Sequence, residues 1–315
     1  MLNLDKAKGC VYGLAIGDAL GFPVEFSPRE TIRRIYGPNG VQDFVLHSRG
    51  MFNAGTYSDD TQMTLAVARA LIDRSVDVST EYGMDTLMSY MGRQFVDWAK
   101  SPSNNRAPGN TCMGGCRNLE YGQSWKESGI PETPGCGSAM RVAPVGLVYH
   151  DDEKKLIEVA KNSSIMTHSH PTAVAAAVGA ALLTAYAYKQ EDPMKMAEKV
   201  YDRTVGIDTR FANRLMTAFD LRYTEPDQAF DIIGEGWVGD EAVAGAFYSF
   251  LRSPNDYKQT ILTSANTTGD SDSFACIAGA ISGAYNGIQG IPEKWIKQVE
   301  NSEYLGKIAQ ELATL

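Results

Sequence analysis

Apolar positions recur at spacings of three and four along most of this chain, the period of a helix with one buried face. In "MTLAVARALID" (63–73), Leu65, Ala68, Leu71 and Ile72 fall near one side. In "DTLMSYMGRQFVDWA" (85–99), Leu87, Tyr90, Met91 and Phe95 do the same. The pattern predicts further helices over 154–163, 172–189, 194–204, 208–219, 239–251, 272–286 and 293–312. Strict alternation is scarce, and "GVQDFVLHS" (40–48) is the one stretch that reads as a strand. Residues 101–138, rich in Gly, Pro, Ser and Asn, break the rhythm, with one helix near 111–121. A long irregular segment inside a helical domain suits a pocket wall. The expectation is an all-α fold in a single domain over 1–315, with no repeat period and no linker long enough to divide it.

Composition agrees with a packed core: 43% of the 315 residues are hydrophobic and 21% are charged. The net charge of -9 argues against broad binding to nucleic-acid phosphates or anionic membranes. It leaves room for a small anionic ligand, because bound cations reverse the local field. The opening "MLNLDKAKGCVYGLAIGDALG" has no basic start and carries Asp18 inside its apolar stretch, a poor secretory signal. The run "AVAAAVGAALLTAYAY" (173–188) is short and alanine-rich, and reads as a buried core helix rather than a membrane span. Cys10, Cys112, Cys116, Cys136 and Cys276 are odd in number and scattered, and "CMGGC" lacks the spacing of a zinc knuckle. Reduced thiols and a cytoplasmic location are expected.

Two short motifs carry the chemistry. "YSDDT" (57–61) and "GDSDS" (269–273) each set paired aspartates, with a hydroxyl beside them, at the start of an apolar helical run. Taken singly, each is an ordinary helix start, where Ser or Asp caps and acidic residues favour the first turn. One cap needs one short polar side chain, not three in a row. Four carboxylates gathered in a helical core repel one another unless protonated or neutralised by cations. Hard cations such as Mg²⁺ or Mn²⁺ take carboxylate and hydroxyl oxygens, which is what these segments offer. A two-metal cluster is the sharp expectation, and it requires the two segments to meet in space.

Around these motifs the sequence resembles the ADP-ribosylglycohydrolase family, whose best-known bacterial members remove ADP-ribose from an arginine of nitrogenase reductase. The resemblance runs in order through "GCVYGLAIGDALGFPVEF" (9–26), "YSDDTQMTLAVARAL" (57–71) and "GNTC" (109–112). It continues through "GCGSAMRVAPVGL" (135–147), "THSHPTAVAAA" (167–177), "GEGWVGDEAVAGAFYSFL" (234–251) and "TTGDSDSFACIAGAISGAYNG" (267–287). It implies a compact orthogonal helical bundle with a central binuclear Mg²⁺ or Mn²⁺ site. The implied ligands are Ser58, Asp59, Asp60, Asp270, Asp272 and Ser273. Glu25 matches a glutamate beside the metals, and Glu25, Asp59 and Asp60 are the implied catalytic residues. Asn110, Gly135, Cys136, Gly137, Ser138, Met140, His168 and Trp237 are the implied substrate contacts. Cys136 stands where some relatives carry asparagine, Arg141 suits a phosphate or a structural salt bridge, and His170 receives no role. Gly279, Gly283 and Gly287 suit tight helix packing around the metals.

The resemblance implies hydrolysis of the N-glycosidic bond between ADP-ribose and a modified protein arginine, with ADP-ribose as product. Breaking that bond develops oxocarbenium character at the ribose C1, while the departing guanidine needs a proton. Glu25 or a metal-proximal aspartate would handle it. The alternatives are hydrolysis of O-linked (serine or acetyl) or nucleic-acid-linked ADP-ribose, a two-metal phosphohydrolase, and a non-catalytic ADP-ribose-binding or structural member.

Overall fold

The computed structural model describes residues 2–47 and 50–315. Among them lie sixteen α-helices. The first eight are α1 (Leu4–Gly21), α2 (Arg29–Tyr36), α3 (Asp59–Asp73), α4 (Glu81–Lys100), α5 (Asn110–Glu120), α6 (Ala143–Val148), α7 (Glu153–Ile165) and α8 (Pro171–Tyr188). The rest are α9 (Pro193–Thr204), α10 (Thr209–Asp220), α11 (Pro226–Ile233), α12 (Gly239–Arg252), α13 (Tyr257–Ala265), α14 (Ser271–Asn286), α15 (Glu293–Gln298) and α16 (Ser302–Ala313). Only two isolated bridges, Ile130 with His168 and Gly135 with Val238, pair extended backbone among the described residues. The all-α expectation holds.

The organising element is an antiparallel pair, α1 against α14. Gly9, Gly13, Gly17 and Gly21 recur every four residues on α1, and each faces backbone of α14. A Cβ on Gly17 would lie 2.6 Å from the Ala275 carbonyl carbon, and one on Gly21 would lie 2.6 Å from the Asp272 Cα. From the other side, Gly279 meets Gly13 and Gly283 meets Gly9. Only residues without a side chain allow two helix backbones this close. Gly287, with φ +70, ends α14 and abuts the Asp5 carboxylate. The seam brings the C-terminal end of α1, and Glu25 just beyond it, to the N-terminus of α14.

Alanine-rich α8 forms the second buried pillar, packed among α6, α7, α9, α12 and α14. It is long and apolar enough to cross a membrane by length and composition, and 94% of it is buried within the protein. From Gly9 onward α1 is buried on every side, as α8 is over nearly all its length, which marks core helices rather than surface ones.

Several sequence expectations need correction. Residues 40–47 form no strand, and Ser48, the last residue of that expected strand, lies outside the described residues. The Gly40 backbone has φ +66, and Asn266 bonds both the N–H and the C=O of Val41, so a side chain takes the place of a partner strand. The expected helix over 293–312 is two helices, broken at Val299–Asn301, where Val299 is extended and Asn301 takes the left-handed conformation at φ 52. On α3 the buried face carries Met63, Val67, Ala70 and Leu71, while Leu65 and Ile72 are only half-buried. Helices α1, α2, α6, α11 and α13 were absent from the periodicity reading: α1 is buried all round, and the others are six to nine residues long.

Candidate metal centre and its cavity

Helix α3 begins at the first aspartate motif because Ser58 caps it, accepting from Asp60 N at 3.2 Å. A second, tertiary cap comes from α1. Asp18 accepts from Ser58 N at 2.8 Å, from Thr61 N at 3.0 Å and from the Thr61 hydroxyl at 2.5 Å. These bonds fix the first turn, so Asp59 and Asp60 leave it in a set direction. Sequence reasoning gave Asp18 no role in the site. The available signal was a single carboxylate inside an otherwise apolar helix, which must be hydrogen-bonded to be buried.

Helix α14 begins at the second motif. Asp270 caps it through Ser273 N at 3.3 Å, and the Asp272 carboxylate accepts from the same N–H at 3.0 Å. The Ser273 hydroxyl donates to Asp60 Oδ2 at 2.9 Å, which joins the two motifs. Carboxylate oxygens of Glu25, Asp270 and Asp272 lie within 4.8 Å of one another. The thiol of Cys136 donates to Asp270 Oδ2 at 3.2 Å and lies 3.7 Å from the Ser273 hydroxyl. The two segments do meet, some two hundred residues apart in sequence.

Burial and mutual repulsion dominate the electrostatics of the cluster. Asp59, Asp60, Asp270 and Asp272 are all buried. Burial first, and then the charges of neighbouring carboxylates, hold Asp59, Asp60 and Asp272 well above the ordinary carboxylate range. The charges acting on Asp272 are those of Glu25, Asp60, Asp270 and Asp18. Burial also raises Asp18, to about 6, against four hydrogen-bond contributions from Ser58 and Thr61 that lower it. A cluster of this kind is relieved by positive charge placed among its oxygens. The donors are carboxylates and hydroxyls with a single thiol at the edge, a set suited to hard divalent cations. The residues fit a metal.

The carboxylates line a cavity of about 330 Å³. Glu25, Asp59, Asp60, Asp270, Asp272 and Ser273 form its floor and one side, and Ser58 is buried behind them as a cap. Asn110, Gly135, Cys136, Gly137, Met140, His168 and Trp237 line it too. The irregular 101–138 segment supplies Ala107–Cys112 and Gly135–Gly137, so it is a pocket wall. Ser138 is the exception among the expected contacts. Its hydroxyl turns into the core, donating to Ala173 O at 3.3 Å and accepting from Ser164 at 2.8 Å. Arg141 is also withdrawn: it is fully buried, bonds Ser163 O and the Thr167 hydroxyl, and sits 4.2 Å from the Phe95 ring centroid. It meets neither expectation, phosphate or salt bridge, among the described residues. A wider hollow of about 690 Å³ lies elsewhere, between α2, α11 and α13, away from the carboxylates.

His168 follows the turn after α7, in the short bridge to Ile130, with Nδ1 2.8 Å from the Thr167 hydroxyl. Burial, then the charge of Arg141, lowers its pKa to about 3, so the ring is neutral. Its other edge packs on Gly137, where a Cβ would lie 2.9 Å from the ring Cε1. At the mouth, Phe26 stacks on Trp237 with ring centroids 4.2 Å apart and planes 9° from parallel. Phe26, which sequence reasoning missed, holds φ 58, and its N–H bonds Gly269 O at 2.6 Å.

Comparison with known proteins gives the family. The model of the ADP-ribosylglycohydrolase family matches residues 2–315, and the chain belongs to that family. Among its relatives, it is similar to the ADP-ribosylarginine hydrolase Tri1 of Pseudomonas putida, 30% identical over 98% of this chain and 78% of that one. It is also similar to the ADP-ribosylhydrolase ARH3 of Bos taurus, 26% identical over 98% of this chain and 93% of the relative. Its fold matches a solved ADP-ribosylglycohydrolase-related protein complex with a TM-score of 0.78 at 22% identity, covering 99% and 98% of the two chains.

Proposed function

We propose that this protein removes ADP-ribose from modified protein arginines by hydrolysing the N-glycosidic bond, with two divalent cations, Mg²⁺ or Mn²⁺. Ser58, Asp59, Asp60, Asp270, Asp272 and Ser273 would hold them. The observation that carries this reading is the Ser273–Asp60 bond, which unites both aspartate motifs at the floor of one cavity. Bound there, divalent cations supply positive charge for the substrate hydroxyls and acidify a bound water.

The chain's own groups do the rest. Glu25 stands half-buried at the rim, beside Asp270 and Asp272, where it can hand a proton to the departing guanidine. The turn at Gly135–Gly137 lines the cavity and would offer backbone N–H groups to a diphosphate. Neutral His168 suits a ribose hydroxyl better than a phosphate, since it carries no charge. The arginine linkage draws support from the similarity to the P. putida hydrolase, named for ADP-ribosylarginine.

The test is ADP-ribose release from an arginine-ADP-ribosylated protein and from a serine-ADP-ribosylated peptide, each with Mg²⁺, Mn²⁺ or EDTA. Release from arginine alone, lost in EDTA, is expected. Asp59→Ala and Asp272→Ala should abolish it while circular dichroism stays helical. Release only from serine would keep the site and overturn the linkage, and full activity in either variant would overturn the ligand set.

A further inference from the structure

Arg141 and Thr167 take no part in the proposed reaction, yet both stand directly behind the cavity wall. The Arg141 guanidinium is fully buried, and among the described residues no carboxylate pairs with it. It is held by Ser163 O at 2.9 Å, by the Thr167 hydroxyl at 2.7 Å and by the face of Phe95. A guanidinium only donates hydrogen bonds, so the Thr167 oxygen is the acceptor there.

The same hydroxyl lies 2.8 Å from His168 Nδ1. Thr167 is wholly buried, and among the described residues its hydroxyl has these two partners and no other. Its hydrogen has one place to go, the lone pair of Nδ1. Were Nδ1 to carry the proton instead, the oxygen would face two donors and its own hydrogen would be buried without an acceptor, the costly arrangement. The ring holds a single proton, because burial and the Arg141 charge keep it neutral. That proton then sits on Nε2.

The Nε2 edge faces the turn at Gly135–Gly137. A Cβ on Gly135 would lie 3.4 Å from Nε2, and one on Gly137 would lie 3.0 Å from it. His168 and both glycines line the cavity, and Nε2 has no hydrogen-bond partner within the described residues. The backbone beneath the ring is pinned: His168 N donates to Ser164 O at 2.7 Å, and the Ser164 hydroxyl donates to His168 O at 3.0 Å.

We infer that Arg141 and Thr167 are positioning residues that fix His168 as an Nε2–H donor to a ligand oxygen in the cavity. Use of that donor by a ribose hydroxyl rests on the proposed removal of ADP-ribose, whereas the relay rests on the chain alone. A hydroxyl that accepts from Nε2 keeps its own hydrogen for a neighbouring oxygen. A ring free to exchange tautomers would present a lone pair part of the time, and two lone pairs repel.

The test uses the full-length protein carrying ¹⁵N-labelled histidine, in which long-range ¹H–¹⁵N correlation distinguishes the two neutral tautomers. The signal missing from His168→Asn identifies the residue. Thr167→Val keeps the shape and removes the hydroxyl, Thr167→Ser keeps the hydroxyl, and Arg141→Met frees the hydroxyl to accept from the ring. Wild type and Thr167→Ser should show Nε2–H alone, while Thr167→Val and Arg141→Met should show both tautomers. Calorimetry with Mg²⁺ present should find ADP-ribose bound about fivefold more weakly by those two variants, the loss of one oriented hydrogen bond, with Thr167→Ser within about twofold of wild type. A purely structural role for the pair would lower Tm and leave the tautomer as it is. If Arg141→Met does not fold, Thr167→Val decides alone. A wild-type ring protonated at Nδ1, an unmixed Nε2–H ring in Thr167→Val, or unchanged ADP-ribose affinity where the tautomers are mixed would each overturn the inference. Two outcomes separate it from the reading beneath it. Release from the arginine linkage, with a tautomer indifferent to Thr167, sinks the relay alone. The expected tautomers and ADP-ribose affinities, with no release from arginine-linked substrate, sink the proposed reaction and leave the relay standing.

Discussion

Replacing Gly279 with alanine should loosen the whole site from a distance of two helical turns. The added Cβ would lie 2.7 Å from the Gly13 carbonyl carbon and 3.1 Å from the Leu14 Cα, and closer still to the Gly13 oxygen. These are backbone atoms of a buried helix, so no rotamer change relieves the clash. The helices must part by something near an ångström, and a gap of that size forfeits a quarter to a half of each contact across the seam. Overpacking of this kind costs about 3 kcal/mol. Alanine's better helix propensity returns about 1 kcal/mol, leaving a net loss of about 2 kcal/mol. For a chain of 315 residues that is a drop in Tm of roughly 3 °C. Calorimetric scans of Gly279→Ala beside Gly206→Ala test it, because a Cβ at Gly206 meets nothing within 4 Å. The control should match wild type or gain slightly through a less flexible unfolded chain. The rise in Tm on adding Mn²⁺ should also shrink in Gly279→Ala, since parting α1 from α14 draws Asp18, which fixes the Asp59–Asp60 turn of α3, away from Asp270 and Asp272. A Gly279→Ala midpoint within a degree of wild type would refute the account of the seam.

Two further predictions concern single groups. Glu25→Gln should cut kcat more than it weakens ADP-ribose binding, because the amide cannot pass a proton; an unchanged turnover rate would make Glu25 a bystander. His168 is held to about 3 from the ordinary 6.5, so between those values the unfolded chain binds a proton that the folded one does not. Its contribution to stability is complete above the unfolded pKa and is lost as pH falls through that window, by at most about 1.4 kcal/mol per unit. In urea unfolding, wild type should lose roughly 2 kcal/mol more than His168→Asn between about pH 7 and about pH 5. Equal losses would refute the burial of a neutral ring.

Helices α7, α9 and α10 keep a polar face and are legible from their period, whereas α8, α12 and α14 are buried nearly all round and are legible as long apolar runs; all six begin and end within two residues of expectation. Helix α1 escaped because its glycines, not a stripe of large apolar residues, mark its contact face, and a helix buried all round has no period to read. The aspartate motifs were legible for an energetic reason: two carboxylates ahead of an apolar run are costly unless something uses them. Asp18 shares that cost but stands alone, so nothing in its neighbourhood announced a site. Ser138 shows the opposite failure. A motif places a residue in a turn, yet the side chain's direction depends on what packs behind it, here Ser164 and Ala173. Phe26 was invisible because stacking on Trp237 joins residues with no common period.

The helix seam explains why so acidic a cluster can exist in this core at all. Buried carboxylates destabilise a fold through desolvation and mutual repulsion, and here at least four are gathered. They are confined to the ends of α3 and α14, where free N–H groups of the first turn and the helix dipoles partly offset the charge. Asp18 reaches the same place from α1 and satisfies two of the orphan donors of α3. With α1 locked to α14 by backbone contact, the three chain ends cannot spread to relieve their repulsion. The rigidity that holds these like charges together is also what suits the cluster to divalent cations: the oxygens are already gathered, so a bound cation would add charge compensation without ordering the site.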